Sequence, residues 1–290
     1  MISVVICARS PALSIDFEHH IRDTIGVPYE LIFVDNSANK YSIFEAYNLG
    51  VQQSKFAYIC FMHDDIYYHT RDWGKRVTAH FGDEKTGAIG IAGTPYMPMM
   101  PGAWWDGGMV NIHIIPWNAV NNQPTLMAYP GAAGNKKRVA VVDGVWFCIK
   151  RDLFDQLKFD EITYKGFHYY DMDISLQVHR AGYHIYSVFD ILIAHFSKGD
   201  MNKNWCDNAL IFKNKWENIL PVIVGHVPYS TQCEAELKTL TEFILIRHQN
   251  GVPTKLIYRL AFKHLLKLSW RHFYYKYPLR LSKYLFKSII

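Results

Sequence analysis

Carboxylates and histidines recur at the ends of apolar runs in this sequence. Asp35 follows ELIFV, His63-Asp64-Asp65 follows FAYICFM, and His195 follows HIYSVFDILIA. Asp143-Gly144 interrupts VAVVDGVWFCI, and Asp171 and Asp173 open the segment DMDISLQVHRA. If these runs are strands of one sheet, their acids gather along one rim. Crowded carboxylates repel one another unless a cation offsets them. A divalent metal held by oxygen and imidazole ligands is the chemistry that suits such a set.

The elements that must position these groups follow from hydrophobic periodicity. Residues 2–7 (ISVVIC), 30–34, 56–62 and 87–92 are short, β-branched or apolar runs and read as buried strands. Residues 14–25, with Ser14 as N-cap, and residues 42–53 and 70–82 read as helices between them. Strands alternating with helices through short connections indicate parallel βαβ units. In such sheets ligands bind beyond the carboxyl ends of the strands, where Asp35 and His63-Asp64-Asp65 fall. Residues 93–138 hold six prolines and little periodicity, and read as long irregular loops over the site. Beyond them, 139–149 and 184–194 read as strands. Residues 151–157, 171–181 (stopped by Gly182), 204–219, 233–248 and 253–287 read as helices.

The chain has 290 residues, of which 50% are hydrophobic. That suffices for a large core without disulfide staples. The five cysteines form no CxxC pair, which suits a reducing compartment. The opening MISVVICAR lacks a basic leader, and no apolar stretch of about 18 residues is present. The net charge of +5 conceals an asymmetry. Residues 243–290 carry ten Lys/Arg and no Asp or Glu; removing ten from 31 leaves 21 basic against 26 acidic residues elsewhere. An acidic body with a basic tail points to an anionic partner for the tail alone. Basic residues at four-residue spacing from Lys255 to Arg271, interleaved with apolar and aromatic ones, suit an anionic membrane surface contacted through residues 250–290. The acidic body and the lack of a reader motif disfavour nucleic acid.

The order of these segments resembles the family-two glycosyltransferases. ISVVICAR, FVDNS, FMHDDI, VDGVWFCIKRDLF, YYDMDISLQVHRAGY and AHFSKG carry the resemblance over roughly residues 2–200. It implies an α/β fold of the GT-A kind: a Rossmann-like, mostly parallel sheet flanked by helices. The catalytic domain would span residues 1–220, with a basic helical extension over 221–290. The implied activity is a metal-assisted, inverting hexosyl transfer from a nucleotide-diphosphate sugar, UDP-linked by first expectation, to a glycan or lipid-linked glycan. A cytoplasmic enzyme, peripheral on the inner face of the membrane, fits that reading.

The resemblance also implies roles. Asp35, with backbone of Cys7, Ala8 and Arg9, would hold the nucleotide. Asp65, with His63 and Asp64, corresponds to the DXD-like element that binds Mn²⁺ or Mg²⁺ at the pyrophosphate, and His195 would complete the metal shell. Asp171 corresponds to the base that deprotonates the acceptor hydroxyl, with Asp173 beside it as an orienting acid. Tyr170 stands where the family commonly has Glu, and His63 where it commonly has the outer Asp. Asp143 and Gly144 are candidates for sugar or acceptor contact. Trp104 and Trp105 are better stacking candidates than Trp117, and Trp146 suits core packing. The same residues have plain structural uses. Asp35 and Asp143 can shape turns. The paired acids can offset helix dipoles or cap, and His195 can pack in a core. A nucleotide-sugar or glycan-binding protein without activity is the alternative. A dinucleotide-dependent oxidoreductase is disfavoured because no GxGxxG follows the first strand. A nucleotidyltransferase is disfavoured because no glycine-rich basic loop follows it.

Overall fold

A computed structural model describes residues 1–116, 127–129, 134–197 and 199–252. In chain order the elements begin β1 (Ile2–Ala8), α1 (Ile15–Ile25), β2 (Tyr29–Asp35), α2 (Ile43–Gln53) and β3 (Tyr58–Met62). Next come β4 (Ile66–Tyr68), α3 (Trp73–His80), β5 (Thr86–Gly90), β6 (Ala92–Thr94), β7 (Tyr96–Met97), β8 (Asn111–Pro116) and β9 (Met127–Tyr129). The rest are β10 (Lys136–Val139), β11 (Val141–Val142), β12 (Trp146–Lys150), α4 (Tyr170–Arg180), β13 (His184–Val188), β14 (Ile193–His195), α5 (Lys203–Lys215), β15 (Val222–Ile223) and α6 (Tyr229–Gln249).

The chain divides into two compact units. One comprises Met1–Pro95 and Val110–Gly199; the other comprises Tyr96–Met109 and the chain from Asp200 onward. In this division α5 and the segment Tyr96–Met109 group with the C-terminal region. The expected helix over 253–287, the basic tail and Trp117 lie outside the described residues.

The first unit is built on a seven-stranded sheet of order β10-β13-β5-β12-β3-β1-β2. β1 runs parallel to β2 and β3, as the βαβ pattern requires. The expectation of a mostly parallel sheet needs correction. β12 enters antiparallel between β3 and β5, and β10 lies antiparallel to β13. The sheet is therefore mixed. Strand direction is set by chain reversals after residue 95, which apolar content does not encode.

Side chains alternate across this sheet. Ile2, Val4, Ile6, Cys60, Met62, Trp146 and Cys148 join one core with Trp73, Val77 and Ile21. On the other face an aromatic cluster gathers Tyr47 of α2 with Phe61, Phe147, Phe159 and Tyr170. Helix ends follow local chemistry. Ser14 caps α1 by accepting from Phe17 N, and Gly26 stops it in the left-handed region at φ 68°. Ser42 and Glu45 form a capping box on α2.

A second sheet has the order β11-β6-β8-β14-β4, with β9 on β8. Its strands are short, and several occupy the stretch expected to be irregular loop. Strands of two or three residues leave no readable periodicity. The run 139–149 is likewise divided. Val139 pairs in the large sheet, Val141–Val142 in the second, and Trp146–Lys150 in the large sheet again. Asp143-Gly144 is the bend between sheets. The run 184–194 divides in the same way into β13 and β14. The helix expected from residue 70 begins only at Trp73. Thr70 Oγ1 accepts from Leu192 N at 2.8 Å, and His69 N donates to Leu192 O at 2.9 Å. These bonds tie the preceding residues to the segment entering β14. Residues 151–155 form a 3₁₀ turn.

The second unit contains a two-stranded pairing of β7 with β15, together with α5 and α6. Glu236 of α6 is buried and accepts from Tyr96 Oη and from the amides of Met99 and Met100. No described helix is long and apolar enough to cross a membrane.

Candidate active site

Two strand pairings bring His63, Asp65 and His195 together. β4 and β14 are antiparallel with His195 opposite Ile66, so His195 lies beside Asp65. Phe196 N donates to Asp65 O at 3.0 Å and closes that corner. His63 N donates to Val145 O at 3.1 Å, continuing the β3–β12 ladder past its last pair. The result is a cluster of three ligand atoms within 4.8 Å of one another, one from each of these residues. His63 Nδ1 lies 3.3 Å from His195 Nε2 and 3.8 Å from Asp65 Oδ1. His195 Nε2 lies 3.4 Å from Asp65 Oδ1. Ligands on adjacent positions of a metal bound at about 2.0–2.2 Å sit roughly 3–3.5 Å apart. The donor set and its spacing thus fit a divalent cation.

The electrostatics agree. Burial raises the Asp65 carboxyl, but hydrogen bonds from His195 and Ser197 and the charges of both imidazoles outweigh it, holding Asp65 down at about 2. Burial, then the neighbouring His195 ring, holds His63 at about 4. Near neutral pH the pocket therefore offers an ionised carboxylate and a neutral His63 imidazole, the forms that ligate metal.

Behind His63 stands the start of α4. Tyr169, which precedes the helix, adopts φ 76°, a conformation that costs a bulky residue of order 1–3 kcal/mol. This backbone turns Tyr170 and Asp171 toward the Asp143-Gly144 bend. Tyr170 Oη donates to Gly144 O at 3.0 Å and lies 3.1 Å from His63 Nε2. Asp171 Oδ2 accepts from Gly144 N at 2.9 Å, and its Oδ1 from Met172 N at 2.8 Å. Gly144 is needed here because a β-carbon would collide with the Tyr170 ring. Burial, and then the charge of Asp143, push the Asp171 carboxyl up to about 7. Asp143 also acts electrostatically on His63, which puts the imidazole and the raised carboxyl in one neighbourhood. Asp143 itself accepts from Val145 N at 2.9 Å.

Asp173 occupies a different setting. It is 1% exposed and accepts from Tyr164 Oη at 3.0 Å and Gln177 Nε2 at 2.8 Å. These contacts anchor α4 from within the domain, so the structure does not bring Asp173 to the cluster.

On the other side of β3, the register places Ala8 against Asp35. Asp35 is exposed, and accepts from Ser37 N at 2.8 Å. Asn36 N donates to Ala8 O, and its side chain exchanges hydrogen bonds with the Tyr41 backbone at 2.8 and 2.9 Å. Asn36 was not among the sequence candidates. Its place after a strand end beside Asp35 was the available signal. Cys7 is half-buried, with its thiol raised to about 11 by burial. Its surroundings include Asn36, Asp64 and Arg9, and both Asp64 and Arg9 are exposed. Asp64 thus neighbours the strand-one end, while Asp65 belongs to the His cluster. Trp146 is fully buried and donates to Tyr68 Oη at 2.7 Å. Trp104 and Trp105 lie in the second unit, edge to face at 5.3 Å; Trp104 is buried and Trp105 exposed.

The structure is thus a mixed α/β sheet flanked by helices, with acids at its strand ends and a His/Asp cluster beside them. The model of the Glycosyltransferase-like family matches residues 3–218, and the chain belongs to that family. Comparison with curated protein sequences gave no match. Among solved structures, the chain is similar to A197 from STIV, with TM-score 0.43 and 9% identity over 68% of this chain and 86% of that one. It is also similar to GalNAc-T7 with UDP, GalNAc and Mn²⁺, with TM-score 0.46 and 12% identity. That match covers 85% of this chain, which spans 47% of the GalNAc-T7 chain.

Proposed function

We propose that the protein transfers a hexose-type sugar from a nucleotide-diphosphate donor to a hydroxyl of a glycan or lipid-linked glycan, inverting the anomeric carbon. A UDP-sugar is the first donor to test; the similar GalNAc-T7 structure contains UDP and Mn²⁺. The observation that carries the reading is the pairing of a two-imidazole, one-carboxylate cluster with a buried carboxyl raised to about 7.

His63, Asp65 and His195 would hold Mn²⁺ or Mg²⁺, which supplies positive charge against the departing diphosphate. Asp35, Asp64 and the backbone of Cys7, Ala8 and Arg9 would bind the nucleotide portion. Asp171 would act as general base. It takes the acceptor hydroxyl proton as the oxygen bonds to the anomeric carbon and the bond to the diphosphate breaks. A carboxyl at about 7 is well matched to that task near neutral pH. Asp143 and Gly144 shape the floor beside it, and Asp173 would anchor the helix that carries it. Within the second unit, exposed Trp105 would offer a stacking ring to a glycan, with Trp104 edge to face against it.

The test is thermal shift and calorimetry with UDP-, GDP- and dTDP-sugars, with and without Mn²⁺, on wild type and Asp65→Ala. A ligand of the native state raises its apparent stability. Stabilisation by one nucleotide class, dependent on metal and lost in Asp65→Ala, is the expected result. No binding by any donor under either condition overturns the transferase reading.

A further inference from the structure

The Tyr170 hydroxyl has one proton and more than one polar neighbour to share it with. They include Gly144 O at 3.0 Å, His63 Nε2 at 3.1 Å and the Tyr47 hydroxyl. A carbonyl oxygen only accepts, whereas the Tyr47 hydroxyl can itself donate to Tyr170, so the proton of Tyr170 goes to Gly144 O. Toward His63 the Tyr170 oxygen then offers a lone pair, and His63 Nε2 must carry hydrogen. In a neutral imidazole the other nitrogen is then bare. That nitrogen, Nδ1, is the one 3.3 Å from His195 Nε2 and 3.8 Å from Asp65 Oδ1. The opposite tautomer would set two lone pairs against each other at 3.1 Å, or leave the Gly144 carbonyl facing an oxygen without a proton.

We infer that Tyr170 is a positioning residue: relayed from the Gly144 carbonyl, its hydroxyl holds His63 as the Nε2–H tautomer and aims the Nδ1 lone pair at the cation. This rests on the reading of His63, Asp65 and His195 as a metal site. Several features make the relay rigid. Tyr170 is buried among Tyr47, Phe44 and Phe147. It sits directly after the left-handed Tyr169, and its ring occupies the space a Gly144 side chain would take. Gly144 also donates its amide to Asp171. One residue at the bend therefore orients both the candidate base and, through Tyr170, a candidate ligand. A hydrogen bond to the non-ligating nitrogen of a metal-binding histidine fixes its tautomer, and losing it typically weakens metal binding 10–100-fold.

The test uses the metal-free full-length protein labelled with ¹⁵N-histidine. Long-range ¹H–¹⁵N spectra near pH 7.5, with His63 assigned by its loss in His63→Gln, report which ring nitrogen carries hydrogen. Wild type is expected to show hydrogen on Nε2 of His63. Tyr170→Phe is expected to show a tautomer mixture and an Mn²⁺ dissociation constant about tenfold or more higher by electron paramagnetic resonance titration. A role confined to packing would leave the tautomer unchanged. Hydrogen on Nδ1 in wild type overturns the inference, as does a Tyr170→Phe protein that keeps both the tautomer and the affinity. If Tyr170→Phe is too unstable to isolate, the wild-type spectrum alone decides. Failure of wild type to bind Mn²⁺ at all removes the metal reading itself, and with it the purpose assigned to Tyr170.

Discussion

The Gly144 amide donates to the Asp171 carboxylate at 2.9 Å, across a bend between two sheets. The bond joins a residue from an apolar run to the first turn of α4, 27 positions later. It presents one Asp171 oxygen to a backbone donor in a buried setting, where an ionised carboxyl costs most. The nearby Asp143 raises that cost further.

Asp171→Asn is expected to lower kcat by 100-fold or more, within the range for loss of a general base. In wild type, kcat should rise with pH through about 7 as Asp171 ionises. The linkage has a definite sign. Its folded value of about 7 lies above the ordinary carboxyl value near 3.9, so the native state binds the extra proton between them. Stability from this residue is therefore present below about 4 and lost as pH rises toward about 7. Denaturation from pH 4 to 8 should show a flatter profile in Asp171→Asn; an equally steep one would locate the titration elsewhere.

Asp65→Ala and His195→Ala should each lose Mn²⁺-dependent stabilisation, read as the disappearance of the thermal shift on adding Mn²⁺. Two imidazoles and one carboxylate favour Mn²⁺, Co²⁺ or Zn²⁺ over Mg²⁺. Titrations of the wild type should rank them so. Mg²⁺ binding as tightly as Mn²⁺ would contradict the donor set assigned here.

Asp173→Ala and Asp171→Ala should separate stability from activity. Removing Asp173 takes an acceptor from the buried Tyr164 hydroxyl and from the Gln177 amide, which keeps its bond to Lys158 O, a cost of about 1–3 kcal/mol. Urea denaturation should report that loss for Asp173→Ala. Activity per folded molecule should fall much less than in Asp171→Ala. Equal losses of activity in both variants would mean that Asp173 takes part in the chemistry.

Gly144→Ala introduces a methyl group into the Tyr170 ring. Overpacking of this kind costs about 1–3 kcal/mol. The expected result is a lower melting temperature together with weaker Mn²⁺ binding, since the displaced ring carries the His63 contact. A fully stable Gly144→Ala protein with native metal affinity would show that the ring yields without consequence.

Much of the site was legible because strand ends are local. The apolar runs before Asp35 and before His63-Asp64-Asp65 are continuous; the second is a central strand buried almost throughout, and such strands read that way. Ser14 and the Ser42–Glu45 box mark helix starts through bonds spanning three residues. His195 stands out by its position after an apolar run, and the fold sets it against Asp65. Asp173 and Asp171 look alike in sequence because both open one helix. Only packing tells them apart, through Tyr164 and Gln177 on one and Gly144 on the other.

The sequence by itself determined the class of fold, the alternating strands and helices of the first ninety residues, and the acids that close them. Those features rest on periodicity and capping, which act over a few residues. Tertiary structure alone decided that β12 inserts antiparallel and that residues 139–149 cross between two sheets. It also decided that Tyr170 joins Gly144 to His63. These are relations among segments from 26 to 107 positions apart, set by which surfaces must be buried against each other. No local pattern of residue types records them.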